Sequence, residues 1–338
     1  MVKHFIAVAV LVVVLTAVLT LVIGGVDNLL PTQASEEAVY VDRLFGIELQ
    51  LILFLFSLII VIMLYSVVVF RRKPGEEGDG IYVRGHTKLE IMWTLVPLGI
   101  VLGLATLGGQ YLGKIEKPEA DEMVINVVGF QWDWRFEYPD LGITSTELNL
   151  PVDQQVRFEM TSEDVIHSFW VPEFRIKKDL VPGQTNEVRI KPTQLGQYTL
   201  RCAELCGTRH AYMNQTVNVM EPADFQAWAA GEKAAAEELT PAELGAKVAA
   251  ENGCLSCHSL DGSRLVGPTW QGLFGSDRPL DGGTTVVADE EYLHNAIVNP
   301  NAQIAQGYPA NVMPQDYRER IPEDEINALI EYIRSLGE

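Results

Sequence analysis

The segment Arg201-Cys202-Ala203-Glu204-Leu205-Cys206-Gly207-Thr208-Arg209-His210-Ala211-Tyr212-Met213 carries two thiols, an imidazole and a thioether. Loop packing does not call for so many soft donors together, and the set reads as a copper site. A mononuclear blue-copper centre uses one Cys, two His and a weak axial Met. The second Cys, four residues after the first, is surplus to that plan; two bridging thiolates can hold two copper ions. One more strong donor is needed, and the nearest His outside the loop is His167, in Asp164-Val165-Ile166-His167-Ser168-Phe169-Trp170. On residue type alone the competing reading is a Cys2His2 zinc site from Cys202, Cys206, His210 and His167. Met213 tips the choice toward copper.

A second site lies in Cys254-Leu255-Ser256-Cys257-His258. Two thiols at this spacing can bond both vinyl groups of a haem while the adjacent His ligates iron, the pattern of c-type attachment. A redox dithiol is the alternative, but it has no use for His258 and usually follows a strand; here a helix with Thr240 as N-cap, Pro241 at its first position and Glu243 at its third precedes the motif. For the sixth iron ligand, Met313 is the only Met after Met220 and His294 the only His after His258. Met313 stands in the Gly/Pro/Asn-rich run Gly307–Pro314, suited to fold over a haem edge, whereas His294 falls in a helical pattern where a surface His is the plain reading. Met313 is therefore the expected ligand, with the high potential that thioether ligation brings. The carbonyl of Gly267-Pro268 is placed to accept the His258 ring N–H.

Two further segments carry chemistry without deciding it. Gln131-Trp132-Asp133-Trp134 is expected to set two Trp on opposite faces of a strand, one in the core and one exposed as a contact point for a redox partner; rim packing is the plain alternative. Glu90, in Lys88-Leu89-Glu90-Ile91-Met92-Trp93, is either an interfacial carboxylate or a proton-loading group at a membrane boundary.

These residues need elements to hold them. Three apolar runs come first, Phe5–Ile23, Leu51–Phe70 and Ile91–Leu112, each about 20 residues and so long enough to span the hydrocarbon layer. Lys3, Arg71, Arg72, Lys73, Arg84 and Lys88 put the loop between the second and third runs on the cytoplasmic side, and everything after Leu112 outside. The first run also fits a signal peptide ending near Thr32-Gln33-Ala34, so residues 1–34 are expected as either an extra helix or a cleaved leader. Residues 44–113 form the expected helical hairpin. From about 120 to 222 the pattern becomes short alternating strands, Val124–Val128, Thr146–Leu150, Gln155–Met160, Asn186–Ile190, Gln197–Arg201 and Gln215–Val219, which suggests a Greek-key sandwich or barrel. Residues 223–239, rich in Ala and Glu, read as a semi-helical linker. Residues 240–338 read as a small helical domain whose last helix buries Ile326, Leu329, Ile330, Ile333 and Leu336.

The formal charge of −20 over 338 residues argues against nucleic acid as a partner and favours basic soluble ones. The four Cys fall as two close pairs, which leaves no thiol for a disulfide framework if both pairs hold metal or haem.

The ordered series Glu90–Pro97, Gln131–Trp134, Asp164–Pro172 and Cys202–Met213 resembles subunit II of the haem–copper cytochrome c oxidases, and the fused haem segment resembles the caa-type members. The resemblance implies a multidomain chain of transmembrane α-helices, an all-β cupredoxin domain and an all-α cytochrome c domain. It implies a dinuclear copper A centre bridged by Cys202 and Cys206, with His167 and Met213 on one copper, and His210 and the Glu204 carbonyl on the other. The Glu204 carboxylate would touch an interface magnesium ion. Trp132 matches the family's electron-accepting indole and Glu90 the carboxylate at the mouth of a proton channel in subunit I. Haem c would be held by Cys254, Cys257, His258 and Met313. Implied partners are subunits I and III, cytochrome c or another respiratory complex as donor, and membrane lipid, in a bacterial plasma membrane with the soluble domains on the periplasmic side. The implied function is passage of electrons to subunit I for reduction of dioxygen to water, coupled to proton translocation. A copper-delivery protein and a nitrous-oxide-reductase-type fusion are the rivals; the second lacks its His-rich cluster here.

Overall fold

Helix-forming apolar sequence and strand-forming alternation divide the chain much as their physics requires. The computed structural model describes residues 2–72, 74–75, 77–78, 82 and 84–337; Lys73, counted among the loop cations, lies outside them. The chain forms two compact units, Met1–Glu119 with Glu173–Arg175, and Ala120–Pro172 with Ile176–Glu338.

The first unit consists of α1 (Val2–Ile23), α2 (Glu36–Val69) and α3 (Thr87–Ile115), three helices long and apolar enough to cross a membrane. α2 starts well before its apolar run. Ser35 Oγ accepts the Ala38 N–H at 3.1 Å, and Glu36 and Glu37 lie in the first turn, where the helix dipole favours negative charge. α1 packs along α2, with His4 Nδ1 2.7 Å from the Tyr65 hydroxyl. Arg175 pairs with Asp42 at 2.8 Å, both side chains nearly buried.

The second unit opens with ten strands: β1 (Met123–Phe130), β2 (Asp133–Tyr138), β3 (Ile143–Ser145), β4 (Leu148–Pro151), β5 (Val156–Ser162), β6 (His167–Val171), β7 (Ile176–Leu180), β8 (Asn186–Ile190), β9 (Gly196–Cys202) and β10 (Asn214–Met220). They form two five-stranded sheets, ordered β3-β2-β1-β5-β8 and β4-β10-β9-β6-β7, in which β1/β5 and β4/β10 pair parallel. Alternation sends one face of each strand inward. In β2, Trp134, Phe136 and Tyr138 are buried while Asp133, Arg135 and Glu137 are not.

This corrects the expectation for the two Trp. Residues two apart on one strand share a face, so a strand through both would have set them together. They differ because the strand begins only at Asp133: Trp132 sits in the turn before it, half-buried, and Trp134 is fully buried.

The Ala/Glu-rich stretch is a continuous helix, α4 (Pro222–Glu238), with Pro222 at its first position. Phe225 is 2% exposed, and its ring and that of Trp228 pack on Tyr138 at centroid distances of 6.3 and 5.2 Å. Burying one such ring contributes about 2 kcal/mol, enough to hold the helix against the sandwich.

Only Leu239 and Thr240 separate α4 from α5 (Pro241–Glu251), whose Thr240/Glu243 capping box is formed. The short α6 (Cys254–Cys257) follows, then the two-stranded β11 (Asp277–Pro279) and β12 (Thr285–Val287), α7 (Glu290–Val298), α8 (Tyr317–Arg320) and α9 (Glu323–Ser335). α5 and α9 cross closely, burying Val248 and Ala249 against Ile326, Leu329, Ile330 and Ile333.

Candidate functional site

β9 and β10 are antiparallel neighbours, and the soft-donor loop is their connection. Cys202 ends β9, Met213 immediately precedes β10, and the Cys202 N–H donates to the Met213 carbonyl at 3.1 Å, so the loop is pinched at its base. Pairing of β6 with β9 brings His167, the first residue of β6, beside it.

The donor atoms converge. Cys202 and Cys206 Sγ are 3.7 Å apart, both free thiols. His167 Nδ1 lies 3.9 Å from Cys202 Sγ, His210 Nδ1 3.6 Å and Met213 Sδ 3.8 Å from Cys206 Sγ, and the Glu204 carbonyl oxygen 3.2 Å from Cys202 Sγ. Two imidazoles, two sulfurs that can bridge, a thioether and a carbonyl thus surround one small volume, a donor set that fits two copper ions. Cys202, Cys206, His167 and Met213 are buried, whereas the Glu204 side chain is exposed.

Asp164 holds His167 in place: its Oδ1 lies 2.9 Å from His167 Nε2, and its Oδ2 accepts the Gln131 N–H at 2.6 Å. Burial opposes charge on this His, but the contacts with Asp164 and Cys202 together outweigh it and raise the imidazole pKa. Burial likewise opposes ionisation of Cys202, yet contact with His167 and backbone N–H groups brings it down to about 6. Cys206 goes the other way, pushed up to about 12 by burial and by its charged neighbour. Ionising one thiol thus opposes ionising the other, so binding of metal to both as thiolates must displace a proton. Asp164 and Gln131 were not expected as parts of the site; a carboxylate three residues before a ligand His is the signal that points to Asp164.

Cys254, Cys257, His258 and Met313 line one largely apolar cavity that is partly open to solvent. His258 is half-buried, its ring stacked on Trp270 at 5.1 Å, and its Nδ1 lies 2.7 Å from the Pro268 carbonyl. Desolvation depresses its pKa, with the Pro268 contact opposing, and so favours the neutral ring that can ligate iron. His294 lies elsewhere, 2.8 Å from Glu323 Oε1 on the surface. Thiols at both attachment positions, an imidazole oriented by the Pro268 carbonyl and a thioether on one cavity fit a covalently held haem.

Gln131 and Trp132 line this same cavity, and they also reach the first site: Gln131 Nε2 and Trp132 Nε1 both donate to the Cys206 carbonyl, at 2.7 and 3.0 Å. In the first unit Glu90 is exposed in the first turn of α3, where its Oε1 accepts the His86 N–H at 2.9 Å.

Three family models match the chain in order: the cytochrome c oxidase subunit II transmembrane domain at residues 22–108, the periplasmic domain of the same subunit at 141–220, and cytochrome c at 242–337. The cytochrome c oxidase subunit 2 of Alkalihalophilus pseudofirmus is 36% identical over 298 residues, 82% of this chain and 84% of the relative. That of Thermostichus vulcanus is 36% identical over 259 residues (61% and 79%), and that of Bacillus subtilis 32% over 300 residues (82% of each). Matched along most of its length and in domain order, the chain belongs to the cytochrome c oxidase subunit II family, in the form that carries a cytochrome c domain.

Proposed function

We propose that the electron-accepting site of this subunit is a pair of joined centres, a haem c held by Cys254, Cys257, His258 and Met313 and a dinuclear copper A held by Cys202, Cys206, His167, His210, Met213 and the Glu204 carbonyl. Both groups supply one-electron redox chemistry when bound. The observation that carries the reading is the shared wall: Gln131 and Trp132 line the haem cavity and donate to the backbone of a copper ligand. Trp132 supplies a π system between the sites, Asp164 orients His167, and Pro268 orients His258. The loop is pinched at its base and its three sulfur donors are buried, which limits reorganisation of those ligands and favours fast transfer.

In this reading residues 120–222 are the copper domain, 223–239 the connection and 240–338 the cytochrome domain. The family implies oxidase subunit I as the partner that receives the electron. Subunit III, a cytochrome c or respiratory complex as donor, and surrounding lipid complete the assembly in a bacterial plasma membrane. There the hairpin 44–113, together with 1–34 if retained, spans the bilayer, and oxygen reduction is coupled to proton translocation. The exposed Glu204 carboxylate is available to an interface magnesium ion, and Glu90 to the mouth of a proton channel.

The test is cofactor analysis of the full chain purified with and without its partners. Expected are two copper ions per chain, an electron-spin spectrum with hyperfine coupling to two equivalent coppers, and one covalent haem. Cys206→Ser should lose the two-copper signature and keep the haem. A single copper that a mild chelator strips readily would instead make the β domain a carrier.

A further inference from the structure

A charged bridge crosses the junction between the β sandwich and the cytochrome region inside the second unit. Glu163, in the turn after β5, accepts from Arg135 Nη2 of β2 at 2.7 Å and lies 2.5 Å from Arg320 Nη1 at the end of α8. The three side chains are only 16%, 14% and 20% exposed for Arg135, Glu163 and Arg320. Each arginine is held a second time. Arg135 Nη1 donates to the Glu251 carbonyl at 3.3 Å, and Arg320 Nη2 to Asn252 Oδ1 at 3.4 Å. Both acceptors stand at the C-terminal end of α5, directly before Gly253 and Cys254.

The backbone there meets the sandwich without a spare atom between. Gly253 has φ +67°, and a Cβ on it would lie 2.4 Å from Phe130 Cε2. Phe130 ends β1 and precedes Gln131 and Trp132, the cavity wall. A carboxylate shared by two guanidinium groups at such low exposure differs from a solvated surface pair. Its loss leaves Arg135 with Glu137, at 3.1 Å, and Arg320 with Asp316, at 3.5 Å, but removes the carboxylate that touches both. A bridge of this kind can fix register without adding stability.

We propose that Glu163 is a positioning residue: by bridging Arg135 and Arg320 it seats Gly253-Cys254 on Phe130 and keeps Trp132 in the wall of the haem cavity. This rests on the functional reading above, since it assigns the bridge to holding the two cofactor sites in register.

The test uses the full chain in detergent, with both cofactors loaded, as wild type, Glu163→Gln, Arg320→Gln and the charge-keeping Arg320→Lys. Hydrogen exchange at Phe130–Trp134 and Glu251–Cys254 should accelerate about tenfold in the two Gln variants, as loss of a charge-assisted bond implies. Exchange in β9 and α9, the haem potential and the copper spectrum should stay unchanged, and Arg320→Lys should lie near wild type. After pulse reduction of the haem, the one-electron transfer that oxidises it and reduces the copper centre should slow about as much in the Gln variants. Exchange at both segments and a transfer rate equal to wild type in either correctly loaded Gln variant would overturn the proposal. A wild-type chain that passes no electron from haem to copper overturns the functional reading instead, while the exchange comparison still decides whether Glu163 holds the junction.

Discussion

Trp132 Nε1 donates to the Cys206 carbonyl across 3.0 Å while its ring walls the cavity that His258 lines. One side chain thus touches both redox sites. Trp132→Phe keeps an aromatic ring but removes the donor together with one ring of the indole. Loss of one hydrogen bond, about 1 kcal/mol, should slow transfer between the centres several-fold with copper and haem contents unchanged. Pulse reduction of the haem followed optically checks this, and an unaltered rate would place the path elsewhere.

As the proposed sixth ligand of the iron, Met313 would set the potential of the haem. Met313→His should keep a six-coordinate iron and lower its potential, by on the order of a hundred millivolts within the roughly 0.8 V that axial ligands command. An optical redox titration reads the shift, and no change would remove Met313 from the ligand set.

Gly245 lets α5 and α9 approach, since a Cβ there would stand 2.0 Å from the Ala328 carbonyl oxygen. That oxygen is backbone, so relief requires the helices to part. Gly245→Ala should cost about 3 kcal/mol or more, the upper end for overpacking, seen as an early loss of haem-region ellipticity on heating. Retention of wild-type melting would show that the crossing yields more easily than its geometry suggests.

Burial pushes the Glu251 carboxyl up to about 7, with Lys247 only partly opposing. An acid whose folded pKa exceeds its unfolded value of 4.5 binds its proton more tightly in the folded state. Stability is therefore greatest below the unfolded value and falls as pH rises toward 7, by at most about 3 kcal/mol. Glu251→Gln should flatten denaturation midpoints between pH 5 and pH 8. A wild-type midpoint that rises with pH across that window would contradict the sign.

Much of the site is legible in donor chemistry, because Cys, His and Met have few reasons to cluster between two strands. The apolar runs and the capped helix before Cys254 are legible for similar reasons: length and end chemistry are local. What escapes is set by tertiary partners. β2 carries an alternation, Trp134, Phe136 and Tyr138, but the turn holding Trp132 interrupts the pattern that would have announced it. α2 runs 34 residues because its mixed first half, which carries Glu36, Glu37, Asp42, Arg43, Glu48 and Gln50 among apolar residues, is helical too. The bridge of Arg135, Glu163 and Arg320 joins residues with nothing in common along the chain.

Helix α4, fastened to Tyr138 at one end and separated from α5 by two residues at the other, makes the meeting of the two redox regions an intramolecular event. A tether that short keeps the local concentration of one region around the other at the millimolar level or above. A junction of a few charged groups, too weak to hold two free proteins together, can then remain closed nearly all the time. It can also reopen and reclose without the haem region ever diffusing away.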